Sequence, residues 1–161
     1  MEQNHLDFIK VGHGEADQLY ALIMEMAEYE HEAHEVETDP QKIRETLCDN
    51  KAATAYIVYY QGEPAAYVIF FYTYSSYLGK RNLYIEDIYI RPQFRKMGFG
   101  RKILAFVAQI ALEKGCARLD WTCLEWNENA RRFYAHVGAS LLEDRLYYRT
   151  EGPALEQLAQ I

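Results

Sequence analysis

Residues 91–100 read RPQFRKMGFG, and Arg101 and Lys102 follow at once. Positive charge from Arg91, Arg95, Lys96, Arg101 and Lys102 is therefore gathered at one place in a chain of formal net charge -7. Gly98 and Gly100 stand where an apolar run gives way to a helical pattern. The N–H groups at a helix start have no internal partners and lie at the positive end of the helix dipole. Glycines there let an anion reach the backbone, and Arg95, Lys96, Arg101 and Lys102 add charge for further phosphates. The chemistry this suits is the binding of a pyrophosphate-bearing cofactor; the plain alternative is a sharp, basic strand-to-helix turn. RKMGFG lacks the Lys-Ser/Thr end of a P-loop and the three-glycine dinucleotide fingerprint.

A second constellation is LYIEDIYI, residues 83–90. In strict alternation Tyr84, Glu86, Ile88 and Ile90 share one strand face, and Leu83, Ile85, Asp87 and Tyr89 the other. Each face then carries an acid among apolar neighbours, where a carboxylate without partners is costly. A mid-strand bulge would break the alternation and aim both acids into one cleft. Glu86, its pKa raised, would then accept a proton and Asp87 would hold a cation. The alternative is an edge strand with solvated acids.

These residues need elements to place them. LDFIKVG (6–12) reads as a strand, and DQLYALIMEMAEYEH (17–31) as a helix with Leu19, Leu22, Ile23, Met26 and Ala27 on one face and Asp17 as N-cap. TDPQKIRETLCD (38–49) reads as a helix opened by Pro40. TAYIVYY (54–60) and AAYVIFFYTYS (65–75) read as strands about a tight turn, and NLYIEDIYI (82–90) as a further strand. RKILAFVAQIALEK (101–114) reads as a helix with Ile103, Val107 and Ile110 on one face and Gly115 at its C-terminal end. ARLDWTCL (117–124) is a strand, NENARRFYAHV (127–137) a helix capped by Asn127 and stopped by Gly138, and DRLYYRT (144–150) a last strand. A short helix is placed after Pro153. In this order an α/β fold of one domain, residues 1–161, is expected, with a mixed sheet covered by helices.

Composition removes several classes of function. Negative net charge opposes nucleic-acid phosphates. No run of about 18 apolar residues is present to span a membrane, and MEQNHLDFIK has no signal-peptide pattern. Cys48, Cys116 and Cys123 are odd in number and scattered, which suggests free thiols and a reducing, cytoplasmic setting. Cys123 has no activating base nearby in sequence and reads as a buried structural thiol. His31 and His34 of HEAHE are spaced i,i+3, one residue short of the zinc-binding His-Glu-x-x-His, so no metal is expected. With 14 tyrosines in the chain, Tyr134 stands out by position alone: it lies beside the stripe of Ala130, Phe133 and Val137, as a core-edge residue would.

Two stretches together resemble a known family. RKMGFG matches the Arg/Gln-x-x-Gly-x-Gly/Ala signature of the GNAT acyl-CoA N-acyltransferases, and NENARRFYAHVG matches their downstream Asn-x-x-Ala-x-x-x-Tyr-x-x-x-Gly. YE (29–30), LYIEDIYI, KGC (114–116), EWN (125–127) and FYAHVGAS (133–140) resemble the spermidine/spermine and thialysine acetyltransferase branch. The resemblance implies a GNAT fold with a bulged, splayed strand, helices on both sheet faces, and acetyl-CoA as cofactor. It implies pyrophosphate on the amides from Met97 through Gly98, Phe99, Gly100 and Arg101 to Lys102, and pantetheine along Ile88, Tyr89 and Ile90. Asn127 and Ala130 are carried over with the second signature. Tyr134 would protonate the departing thiolate, and Glu86 would act on the amine through water. Acceptor-side positions are Tyr29, Glu30, Ser75, Tyr77, Asp87 and, across a gap, Asp144. Polyamine-acting members have Asp-Pro-Trp where this chain has YSSYLGK (74–80), so Ser75 replaces the aspartate and Tyr77 the tryptophan. That favours a lysine-like amine over spermidine or spermine. The expected partner is a small-molecule amine, and the resemblance adds a homodimer. Rival readings are a catalytically silent acyl-CoA sensor and a protein or peptide N-acetyltransferase.

Overall fold

The computed structural model describes residues 5–161, so the reading of Met1 to Asn4 lies outside it. The chain forms two compact units, one ending at Thr122 and one running from Cys123 to Ile161. In the first, β1 (Asp7–Lys10), β2 (Thr54–Tyr60), β3 (Glu63–Ser75), β4 (Lys80–Ile90) and β5 (Leu119–Trp121) form one sheet in that order. The first four strands pair antiparallel and β5 joins β4 in parallel, so the sheet is mixed. β2 and β3 are joined through Gln61 and Gly62, both at positive φ, the backbone that a two-residue hairpin requires.

Helices cover both sheet faces, and strand alternation decides which residues meet which helix. α1 (Ala16–Tyr29) and α2 (Pro40–Ile43) pack Leu19, Leu22 and Ile43 on Ile57, Tyr67, Ile69 and Tyr89. On the other face, Phe106 of α3 (Phe99–Glu113) stacks on Phe8 at 4.0 Å and meets Tyr56 edge-on at 5.0 Å. α2 opens as expected, with Pro40 in its first turn and the Asp39 carboxylate accepting from Lys42 N at 2.8 Å. It runs on as a π-helical turn over Arg44–Asp49.

β4 does not alternate regularly. Ile69 of β3 pairs with Asp87, but the next residue, Phe70, pairs with Ile85. Glu86 is the extra residue of a β-bulge. Cross-strand partners share a face, so the bulge sends Ile85 to the face of Phe70 and Asp87 to the opposite face, with Ile69. Strict alternation, which would put Leu83, Ile85, Asp87 and Tyr89 on one face, is broken here by the bulge that the acid pair suggested. The bulge also begins the splay: β5 pairs only with Leu83–Ile85. Beyond them β4 has no strand partner on that edge among the described residues.

The second unit holds α4 (Glu128–His136) and α5 (Gly152–Leu158). Asn127 caps α4 through Oδ1, which accepts from Ala130 N at 3.2 Å, and Gly138 follows its end at φ 89°. The strand expected over 144–150 does not form. A strand needs a ladder partner and not only an apolar pattern, and no described residue pairs with this segment, whose Leu146, Tyr147 and Tyr148 are exposed. Three further expectations are corrected. Asp17 is not the N-cap of α1: Glu15 takes that position, and Asp17 lies in the first turn and pairs with Arg44. α3 starts at Phe99, two residues before Arg101, because Gly98 makes the turn. Cys123 is exposed and not buried, its Sγ 3.5 Å from Leu124 O.

Candidate active site

The glycine junction is built on aromatic packing. After β4 a short 3-10 turn, Pro92–Phe94, leads to Arg95. Phe94 and Phe99 are buried, stack on one another at 6.2 Å and both meet Tyr60, so the loop between them has fixed ends. Between them Lys96 and Gly98 take positive φ, 63° and 80°. The α3 ladder begins with Lys102 N donating to Gly98 O at 3.3 Å, so the N–H groups of Phe99, Gly100 and Arg101 precede it. A Cβ at Gly98 would meet nothing within 4 Å. The space beside Gly98 is open, and Lys96, Arg101 and Lys102 are exposed around the helix start. This cradle fits a pyrophosphate.

Arg91 and Arg95 are engaged elsewhere. Arg91 Nε donates to Glu25 of α1 at 2.9 Å and Nη1 to Pro64 O at 2.9 Å, which ties the end of β4 to α1 and β3. Arg95 Nε donates to Ile90 O at 2.9 Å. Its guanidinium lies 4.4 Å from the Tyr29 ring centre and 5.7 Å from that of Tyr89. One side chain thus joins the glycine loop, the strand edge and the end of α1. Because Arg91 N donates to Ala65 O in β3, the strand period turns the N–H groups of Ile88 and Ile90 to the opposite edge, where β4 has no strand partner among the described residues. That edge fits an extended amide-bearing chain such as pantetheine.

The acids meet at the bulge. Tyr67 is fully buried, and its hydroxyl lies 3.3 Å from Asp87 Oδ2 and 3.2 Å from Met26 Sδ. Asp87 is half-buried. Burial first and the charge of Glu86 second push its carboxyl up to about 6, with a smaller push from Glu30; the Tyr67 hydrogen bond opposes them. Glu30, at the C-terminal end of α1, is raised by burial and by Glu32. The raised carboxyl was expected at Glu86. The structure gives one at Asp87 and leaves Glu86 exposed, because the bulge turns Asp87 onto the α1 face. Tyr67 and Met26 had no signal in the sequence: Tyr67 is one of 14 tyrosines, and its partner is set by the bulge.

Other expected site residues lie apart from this group or in the second unit. Ser75 ends β3, its Oγ 3.3 Å from Leu78 N, and Tyr77 is fully exposed in the turn that follows. Ser75 pairs with Lys80 and Ile69 with Asp87. Counted along β3, the turn is about 20 Å from the acids. Ala130, Phe133 and Tyr134 of α4 and Val137 just after it are half-buried, and the Phe133 and Tyr134 rings lie 5.5 Å apart. Asp144 is exposed, 3.7 Å from Arg145. His31 and His34 are exposed beyond α1.

A helix start open to anions, set after a strand whose last half has lost one neighbour, is the layout of an acyl-CoA-dependent transferase. Residues 16–139 match the Acetyltransferase (GNAT) family, and the chain belongs to it, as an N-acetyltransferase of that acetyl-CoA-using family. A thialysine N-epsilon-acetyltransferase of Caenorhabditis elegans is 35% identical over 158 residues, 96% of this chain and 98% of that protein. An L-ornithine N5-acetyltransferase of Arabidopsis thaliana is 38% identical over 97 residues, 60% of this chain and 42% of that protein. Among solved structures, an integron cassette protein from the mobile metagenome of V. cholerae aligns with a TM-score of 0.79 at 22% identity, over 97% of this chain and 98% of that one. That last likeness bears on the fold.

Proposed function

We propose that this enzyme acetylates the side-chain amine of a small lysine-like molecule such as thialysine, by direct attack in a ternary complex. The observation that carries the reading is Asp87, half-buried on Tyr67 with Glu86 and Glu30 in electrostatic reach. A compact set of carboxylates suits an acceptor with a second cationic group near its reacting amine. The thialysine and ornithine named for the two relatives are acceptors of that size. A long polyamine would gain from charge at the β3–β4 turn, where this chain has Ser75 and Tyr77.

Acetyl-CoA supplies an activated acetyl thioester. The amides from Met97 to Lys102 would hold its pyrophosphate, with Lys96, Arg101 and Lys102 adding charge, and the backbone of Ile88 to Ile90 would hold its pantetheine. An ammonium has no lone pair, so the acceptor must first lose a proton; Glu86, exposed at the bulge, takes it through water. Asp87 and Glu30, beside Tyr29, hold the remaining cationic end, and Asp144 adds an acid on the acceptor side. Tyr134 Oη gives its proton to the departing sulfur, on a helix whose start is set by Asn127 and Ala130. We take residues 1–161 as one cytoplasmic acetyltransferase domain that works as a homodimer on a small molecule, without metal, nucleic acid or membrane.

Acetyl-CoA consumption over thialysine, lysine, ornithine, short diamines, spermidine, spermine and short peptides tests the acceptor. The highest kcat/KM is expected on the lysine-like amines; preferential turnover of spermine or of a peptide refutes the assignment. No helix among the described residues is long and apolar enough to cross a membrane.

The cradle has its own test. Gly98→Glu is expected to weaken acetyl-CoA binding at least about tenfold, or about 1.4 kcal/mol, because a negative side chain would stand over the helix start. Gly98→Ala is the control: at φ 80° it carries the left-handed backbone cost of about 1–2 kcal/mol in stability without the charge. Calorimetry on folded Gly98→Glu showing parental affinity would sink the phosphate cradle.

A further inference from the structure

We propose that Tyr67 is a positioning residue of the acceptor site, its buried hydroxyl holding the Asp87 carboxylate as the anchor for the substrate's cationic end. The proposal rests on the acceptor reading above. Tyr67 has no exposed surface and packs within the core formed by Leu19, Leu22, Ile57 and Ile69. A hydroxyl in such a place is costly unless it is bonded. Its two neighbours are Met26 Sδ at 3.2 Å and Asp87 Oδ2 at 3.3 Å. A phenol has one proton to give, a thioether is a weak acceptor and a carboxylate a strong one. The proton therefore points to Asp87.

The surroundings of Asp87 make that bond consequential. Glu86 precedes it on β4, Glu30 acts on it electrostatically from the end of α1, and Tyr67 faces it from β3. Tyr89, two residues on, lies with its ring 6.2 Å from that of Tyr67 and under the Arg95 guanidinium. Burial and the two glutamates oppose ionisation of Asp87, and the Tyr67 hydroxyl favours it. Without the hydroxyl, Asp87 would be neutral further into the working pH range and would lose its hold on a cation. Were Tyr67 only a packing residue, removing its hydroxyl would change stability alike at every pH.

Tyr67→Phe keeps the ring and leaves no donor to bury unpaired, so the fold is retained. It is compared with the parent, with Asp87→Asn and with the double variant. The first readout is the carboxyl 13C titration of Asp87, its resonance assigned by its loss in Asp87→Asn. In Tyr67→Phe the titration is expected to move up by about one unit, the loss of one hydrogen bond to a charged group. The second is KM for thialysine: about fivefold higher at pH 6, where that shift removes most of the ionised form, and back to the parental value by pH 9. KM for acetyl-CoA stays at the parental value, and in the Asp87→Asn background Tyr67→Phe adds no further change. An unmoved titration, or a KM change of equal size at all pH values, overturns the inference. A titration that moves while the parent turns over no thialysine, lysine or ornithine overturns the acceptor reading instead and leaves the Tyr67–Asp87 pairing intact.

Discussion

Replacing Tyr134 by phenylalanine is expected to lower kcat by at least about 10²-fold, near 2.7 kcal/mol of transition-state stabilisation. Tyr134 is half-buried on α4, its ring 5.5 Å from that of Phe133. Phenylalanine keeps that ring and its packing, and the cap of α4 rests on Asn127 rather than on Tyr134. The substitution therefore removes only the hydroxyl. Its role as proton donor acts on charge that develops at sulfur during departure, so acetyl-CoA affinity should change little. A thiolate is a fairly good leaving group, which is why complete loss is not expected. Steady-state kinetics beside a direct binding measurement decide the matter. If the chemical step is rate-limiting and kcat stays within about threefold of the parent, Tyr134 is a packing residue.

Asp87→Asn should show the opposite trade. A carboxyl held at about 6 in the folded protein, against 3.8 ordinarily, is one whose charged form folding disfavours. The folded state bears no penalty below pH 3.8, acquires it as pH rises to about 6, and carries all of it above that. The full penalty is on the order of 3 kcal/mol. An asparagine side chain never charges, so the variant is expected to be more stable than the parent at pH 8 by up to that amount, with no gain at pH 3.5. Urea unfolding at the two pH values measures it. Equal stabilities at pH 8 would mean that Asp87 is not held in an unfavourable place. The same variant should lose affinity for thialysine, since the destabilising charge is the one proposed to bind the substrate.

The sequence alone was enough for the parts that depend on neighbours along the chain. Asp39-Pro40 opens α2 because a short acceptor side chain and a fixed φ suit a helix start. Gln61-Gly62 closes the β2–β3 hairpin because only a few residues take positive φ easily. Asn127 and Gly138 bracket α4 for the same local reasons. The two signatures, read together, placed the chain in its family. The acid pair in an apolar strand pointed to a bulge, because two successive carboxylates cannot both be buried in regular alternation without partners.

What only the tertiary structure decided was which carboxylate lies against what. The bulge at Glu86 reverses the faces of everything after it on β4, so Asp87 meets Tyr67 while Glu86 stays in solvent. The basic junction, uniform in sequence, is divided by its partners: Glu25 takes Arg91, and Ile90 O and the Tyr29 ring take Arg95. Lys96, Arg101 and Lys102 are exposed around the amides. The segment 144–150 has the pattern of a strand and none of its pairing. Periodicity, caps and turns are properties of a few consecutive residues. A pKa, an ion pair or a strand ladder depends on groups tens of residues away, and folding alone brings those together.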